Sequence, residues 1–539
     1  MFASLIRRCI PVCPRLTTFQ GCNYSSVVEL PIQQVIFNRY KDSSERIRIY
    51  SVIDELEDNG LSMKDIRLAQ TAKLFKKSVE TGDGTVNFED FRYMIDPCLS
   101  IISKSFQGRL IFPNFQSFQE KVAEIYEEIV GKTGGKIVDN LPELRKYSPD
   151  NWGFSICTID GQQYACGDSH TYFPVQACIN PILYGYALTH LGEAVVHRYV
   201  GHEPTAYLHD KVHLADNGLP HNPMISSGAF CISALIHPEL TLSDRIVSII
   251  TLMEKCAGIS PLSVDIPTYL SEKNAAFRAY SLAYLMQSKN AFPEGTDIIK
   301  VLNLYFQMTS IKVTCDILSR VAATIANYGV NPFTGERVFT TGAVKRMLSL
   351  MNSCGLYNAS SSFAFEIGIP SKSNSIGCIL SVVPGKLGYC TWSPCLDEKG
   401  QSVRGLEFNK RLVQEFNFHI FTPEESSDSD PRFASYYQLE HKLTAILYAA
   451  KQGSVGTLQT YFFSGYSLDL VDYDNRAPLH ISASEGHLEA SKFLVESCGV
   501  NINVKDRWKQ TPLDGARLAG FESVAEYLEQ NGAKSGTDL

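Results

Sequence analysis

The 539-residue chain contains no run of 18 consecutive apolar residues, so no segment reads as a membrane-spanning helix. It has no paired Cys-x-x-Cys spacing either. Its fifteen cysteines are odd in number and scattered, and Cys390 and Cys395 lack a matching second pair. That argues against a zinc cage or a disulfide framework and leaves cysteine as a small buried apolar group in a reducing compartment. A basic stripe interleaved with aromatics is missing too. With 49 Lys+Arg against 57 Asp+Glu the net charge is −8, which disfavours nucleic-acid binding, an affinity that leans on phosphate neutralisation. No acid precedes Glu29, whereas Arg7, Arg8 and Arg15 stand among serines and threonines. Residues 1–28 therefore read as a mitochondrial transit peptide, and Arg7-Arg8 and Pro11 interrupt what a secretory signal would need.

What is present describes a folded chain of three or so domains: 44% of the residues are hydrophobic and 20% charged. Residues 43–130 have helical spacing, as in Ile47, Val52, Ile53, Leu56 and Val122, Ile125, Tyr126, Ile129. Between them, Gly82 to Phe91 is like the second half of an EF-hand loop. With Gly84 as the turn glycine, the calcium-ligand positions hold Val79, Thr81, Asp83 and Asp90. Valine supplies no ligand oxygen and aspartate is shorter than the bidentate glutamate, so the pair is expected to pack without binding calcium.

Residues 131–420 begin and end with strand pairs. Alternating apolar residues flank Asp160-Gly161, a pair that a type I′ turn prefers, and Ile376, Cys378, Leu380 and Val382 alternate ahead of Pro384-Gly385. The stretch between is mostly helical. The expected class is α+β, an antiparallel sheet with helices packed on it. An acidic serine and proline linker follows at 421–436. In residues 437–535, Ala477-Pro478-Leu479-His480 and Thr511-Pro512-Leu513-Asp514 mark a repeat of ankyrin period. The terminal Thr537-Asp538-Leu539 fits a PDZ-ligand pattern. His209 and His213 are spaced like two zinc ligands, but their flanks read as a polar loop.

The centre of the chain is Gln176-Ala177-Cys178-Ile179-Asn180, where an extended run gives way to an apolar helix. Enzymes that place Ser-x-x-Lys at such a start put hydroxyl and amine on one face. Here the two positions read Ala177 and Asn180, and no Ser-x-x-Lys lies near this helix.

From about residue 43 to 533 the chain resembles the phosphate-activated, kidney- and liver-type mitochondrial glutaminases. The resemblance rests on long strings: Lys146 to Gly153, His197 to Gly201, Pro220 to Met224, Phe292 to Asp297, Thr334 to Val338 and Ser353 to Tyr357. It implies a serine β-lactamase-like catalytic domain, a helical EF-hand-like N-terminal domain and C-terminal ankyrin repeats. It also implies a mitochondrial matrix location, a homo- or hetero-oligomer that is a tetramer in the family, no cofactor, and phosphate as an activator. Family members hydrolyse glutamine to glutamate and ammonia with a serine nucleophile, a lysine one turn later and a tyrosine. On this chain those positions are Ala177, Asn180 and the retained Tyr305. Glu272, Tyr305 and Tyr357 match substrate contacts, whereas Asn140, Ser226, Ala279 and Ser375 replace others, and Lys372-Ser373-Asn374 departs from the family's Lys-Ser-Gly. The expectation is an impaired or inactive member in which glutamine or glutamate binding is weakened. Two alternatives stand beside it. One is an active amidohydrolase with a rearranged nucleophile, for which Cys178 is the nearest thiol, although one helical step should turn it away. The other is a module whose ankyrin repeats bind a protein partner.

Overall fold

The computed structural model describes residues 32–106, 110–112, 114–138, 141–205, 212–259, 261–422, 439–463, 466–472 and 474–539. The transit-peptide reading of 1–28, the linker from 423 onward and the candidates Asn140 and His209 lie outside these residues. The chain divides into two compact units, Tyr40–Thr444 with Gln459–Tyr466, and Met1–Arg39 with Ala445–Leu458 and Ser467–Leu539.

In the larger unit, strands β1 (Ile47–Arg48) and β2 (Thr85–Val86) pair antiparallel, Ile47 opposite Val86. They join two EF-hand-type loops, of which the sequence reading recognised only the second. Asp42 opens the first by accepting from the backbone N–H groups of Ser44 and Arg46. Arg46 reaches into the second. Its Nε donates to Thr85 Oγ1 and its Nη2 to Thr85 O, both at 2.7 Å, and Nη2 lies 3.7 Å from Asp83. A guanidinium thus stands beside the Asp83 carboxylate at the centre of that loop.

The central sheet has five strands in the order β4-β3-β9-β8-β7, every neighbouring pair antiparallel. They are β3 (Gly153–Thr158), β4 (Gln163–Gly167), β7 (Ser371–Ser373), β8 (Cys378–Val383) and β9 (Leu387–Trp392). A separate short pair, β5 (Phe173–Pro174) with β6 (Lys312–Val313), leads into the central turn. The strand alternation sorts side chains between two cores. Cys378, Leu380, Val382, Cys390 and Trp392 face one core, with the helices that carry the candidate site. Phe154, Ile156, Leu387 and Tyr389 face the other, with Phe118, Val122, Phe408 and Leu412. Apolar residues on both faces are what a sheet covered on both sides requires.

On the site face the helix Cys315–Ala326 crosses the sheet, capped by Thr314, whose hydroxyl accepts from Ile317 N–H. It comes so close that a β-carbon at Gly388 would stand 2.2 Å from Ala322 C and 2.3 Å from Ala323 N. Only a glycine on the strand, facing alanines on the helix, permits that approach.

The first hairpin differs from its expected form. Within Asp160-Gly161 only Gly161 has positive φ (+78°), so the connection is not a type I′ turn, which needs both. It is a longer loop closed by Thr158 N–H to Gln162 O, and it is plugged into the N-terminal helices. Asp160 accepts from Lys104 Nζ and Ile111 N–H, and Gln162 Nε2 donates to Gly60 O and Phe112 O. Buried partners set this conformation, overriding the local turn preference. The second hairpin forms as expected around Pro384-Gly385, but β8 starts at Cys378, because Asn374 Oδ1 accepts from Ile376 and Cys378 N–H groups in the preceding turn.

The smaller unit contains the repeats. Helices Pro478–Ser484 and Pro512–Ala519 each start on a proline, where the missing N–H costs nothing. His480 Nδ1 accepts from Ala477 N–H, and Asp514 does the same for Thr511. The C-terminal tail is folded back. Ser535 Oγ and Gly536 N–H both donate to Asp514, and Asp538 N–H donates to Ser535 O. The last residues therefore form a turn.

Candidate active site

The central turn forms in two parts. Gln176–Ile179 is a 3₁₀ turn, and the α-helix Asn180–Leu191 starts on its end with Pro181 in the first turn. The expected α-helical start is thus a tighter turn, in which residues three apart eclipse one another. Ala177 and Asn180 stand in that relation. Gln176 enters at φ +49°, and Tyr357, on the opposite wall, at φ +50°. Non-glycine residues hold the left-handed region only where surrounding structure enforces it, commonly at functional sites.

Asn180 is hydrogen-bonded at both ends of its amide. Its Nδ2 donates to Met224 O at 3.2 Å and its Oδ1 accepts from the Tyr305 hydroxyl at 3.3 Å. Tyr305 lies on the buried helix Ile298–Thr309, and Ser226, at the start of the helix Ser226–Leu235, lies near its hydroxyl. Burial, followed by the nearby Glu272 charge, pushes the Tyr305 phenol well above its ordinary range. It is therefore neutral and a poor base. Ala177, three residues before Asn180 in this turn, is half-buried and presents only a methyl group.

Glu272, on the helix Ile266–Ala275, accepts from Gln176 Nε2 at 2.5 Å and from Thr309 Oγ1 at 2.6 Å. Burial raises its carboxyl to about 6, against which these two hydrogen bonds act. A folded-state value above the unfolded one means that the group favours the fold only at low pH. That contribution is complete below the unfolded value of 4.5 and is lost as pH rises through about 6. Keeping the ionised form then costs about 1–2 kcal/mol, discounted for the partial solvent access of this half-buried side chain. Glu272→Gln is accordingly expected to raise the unfolding midpoint by a few degrees at pH 7.5, about 1 kcal/mol, and to leave it unchanged at pH 4.5. Thermal melts at the two pH values check this, and equal shifts at both would contradict it.

Lys372 lies on β7 and is fully buried. Its ammonium donates to Gly355 O at 3.1 Å and Ser373 O at 2.5 Å and sits 4.1 Å from the Tyr357 ring centroid. Burial pulls it down to about 8. With no carboxylate among the partners just named, it is a fixed, costly charge behind Tyr357. Cys178 faces away from the Ala177 position, into the core. Its thiol donates to Lys372 O at 3.3 Å, lies 3.8 Å from Cys378 Sγ, and is pushed up by burial. A buried, protonated thiol is inert as a nucleophile. Asn374 is likewise turned inward, its Nδ2 donating to Val175 O. Ser375 is half-buried beside this turn, and Ala279 lies on the helix Phe277–Ser288, packed against the site-face core.

Two hydrogen-bonded sets thus flank Ala177, Gln176 with Glu272 and Thr309 on one side and Asn180 with Tyr305 and Met224 on the other, and Lys372 packs on Tyr357. The sequence reading assigned no role to Gln176, Thr309 or Lys372. Their contacts join segments far apart in the chain; Gln176 and Lys372 stood in strings already singled out, but nothing local gave them a role. His213 pairs with Thr205 Oγ1 at 2.7 Å in a non-helical segment, and among the described residues no cluster could hold a metal ion. No helix there is long and apolar enough to cross a membrane. A cavity of about 510 Å³ lies elsewhere, lined by Phe363, Leu406, Lys132 and Glu407, the last two paired with each other.

Residues 135–421 match the family model for glutaminase, 32–113 that for an EF-hand domain and 446–537 that for ankyrin repeats in three copies. The mitochondrial liver isoform of glutaminase from Mus musculus is 37% identical over 499 residues, covering 92% of this chain and 83% of the mouse protein. A glutaminase of Microcystis aeruginosa is 35% identical over 314 residues, 58% of this chain and 90% of its own. Among solved structures, Mglu in its tris and glutamate form superposes with a TM-score of 0.54 at 31% identity, over 57% of this chain and 68% of that one.

Proposed function

The chain belongs to the kidney- and liver-type glutaminase family, and we propose that its own glutamine-hydrolysing site is silent, the catalytic domain serving as a structural or regulatory body. One observation carries this. The position that would hold the nucleophile is a methyl group, and the position that would hold its base is an amide whose donor and acceptor are both taken up by Met224 and Tyr305. Alanine has no lone pair to attack a carbonyl, and an amide nitrogen does not take up a proton near neutral pH. No neighbouring group supplies the pair instead. Ser226 meets only a neutral phenol as base, Cys178 points into the core, and Lys372 is held between two carbonyls.

The pocket retains Glu272, which suits an ammonium group, but its carboxylate is already shared by Gln176 and Thr309. Asn140, Ser226 and Ala279 stand where the family resemblance implies a tyrosine and two asparagines, and Ser375 where it implies a valine. Each lost hydrogen bond is worth about 0.5–1.5 kcal/mol, so the first three together weaken binding on the order of a hundredfold. Calorimetric titration with glutamine, glutamate and phosphate tests this. Heats of binding are expected only in the millimolar range, and micromolar binding of glutamine would count against the reading.

Assembly with further copies or with an active relative fits four exposed apolar side chains, Ile266, Leu270, Phe277 and Tyr284, on two consecutive helices. Light scattering tests it, since a monomer at micromolar concentration would exclude it. The acid-free, arginine-bearing residues 1–28 and the mitochondrial liver isoform among the relatives support a mitochondrial address, matrix included. Import of the full chain into isolated mitochondria tests that address.

A further inference from the structure

Of the three tryptophans, Trp152 and Trp392 are 3% and 0% exposed, but Trp508 is 59% exposed. It sits at the tip of the turn that precedes the helix Pro512–Ala519 in the repeat unit. The corresponding turn of the preceding repeat is held in the same way. Asp472 Oδ1 accepts from the N–H groups of Asp474 and Arg476, and Asp506 Oδ1 accepts from those of Trp508 and Gln510. The two turns are tied together. Arg507 N–H donates to Asp474 O at 2.8 Å, and Arg507 Nη1 pairs with Asp474 Oδ1 at 2.5 Å. The held guanidinium lies 5.4 Å from the Trp508 ring centroid.

Asp472 and Asp506 are spent on backbone N–H groups of their own turns, and the Asp474 and Arg507 charges offset one another. What remains outward is basic, Lys509 exposed and Lys505 partly so. An indole and a guanidinium held in advance by the neighbouring turn lose little freedom on binding, and these are the two side chains that most often dominate interfaces. A basic rim on a chain of net charge −8 selects a partner of opposite sign.

We infer that this turn is a docking surface for an acidic segment of a partner protein. Carboxylates of the segment meet Lys509 and Lys505, Arg507 staying paired with Asp474, and an apolar side chain covers the Trp508 indole.

The test uses the full chain and acrylamide quenching of tryptophan emission, a neutral probe that reaches Trp508 and not the two buried tryptophans. A synthetic peptide of aspartates and glutamates with one leucine is expected to lower the quenching constant at least about twofold at low salt and to lose that effect near half-molar salt. Trp508→Ala should remove the quenchable emission, and Lys509→Glu should keep the emission but abolish the protection. The inference is overturned if the acidic peptide gives no protection, or if a lysine–leucine peptide of equal length protects as well. Protection by a DNA duplex or by anionic lipid vesicles at lower concentration than the acidic peptide overturns it too.

Discussion

A chain carrying both Ala177→Ser and Asn180→Lys is expected to release ammonia from glutamine at least about a thousandfold faster than the natural chain. The two positions eclipse one another across the 3₁₀ turn, so a hydroxyl and an amine placed there would share one face. Tyr305 already directs its hydroxyl at side chain 180, and Gln176 already enters the turn in its enforced left-handed conformation. The backbone thus needs no rebuilding. The ceiling is set by what removing such a nucleophile costs elsewhere, about a millionfold in turnover, and the altered pocket contacts keep the expected gain below it. Each single variant should stay near background, because nucleophile and base act as a unit. Coupled ammonia assays on the four proteins check this. A single variant as active as the double would contradict the shared-unit argument.

The second large effect concerns the fold. Gly388→Ala is expected to destabilise the protein by more than about 3 kcal/mol, because the new methyl would overlap backbone atoms of the crossing helix. A β-carbon there meets Ala322 and Ala323 at 2.2–2.4 Å, well inside contact distance, and neither strand nor helix has a flexible side chain to move aside. Gly342→Ala is the control. That glycine is in the first turn of the helix Thr341–Cys354 with nothing within 4 Å of a β-carbon, and the change should stabilise by about 0.5 kcal/mol. Urea unfolding of both variants reads the contrast. Equal, small shifts would mean that the helix is free to move off the sheet.

What the sequence made legible was local or periodic. Alternation in Cys378, Leu380 and Val382 gave a strand, the two proline-led repeats gave the ankyrin unit, and Ala177 with Asn180 could be read as a pair because they lie one turn apart. What it concealed depended on distant partners. Asp160-Gly161 has the composition of a two-residue turn, yet Lys104 and the Ile111 N–H draw Asp160 into a longer loop. Arg46 lies in one loop and serves the next, so a reading of the Asp83 loop alone could not find it. Gln176 and Thr309 meet on Glu272 from different helices, and nothing in either segment announces a carboxylate.

Ammonia release from glutamine by the full natural chain, with phosphate present and the mouse liver isoform run alongside, tests the central claim most directly. The account predicts no release above that of a heat-denatured control. Turnover comparable to the liver isoform, abolished by active-site substitutions such as Tyr305→Phe, would contradict it.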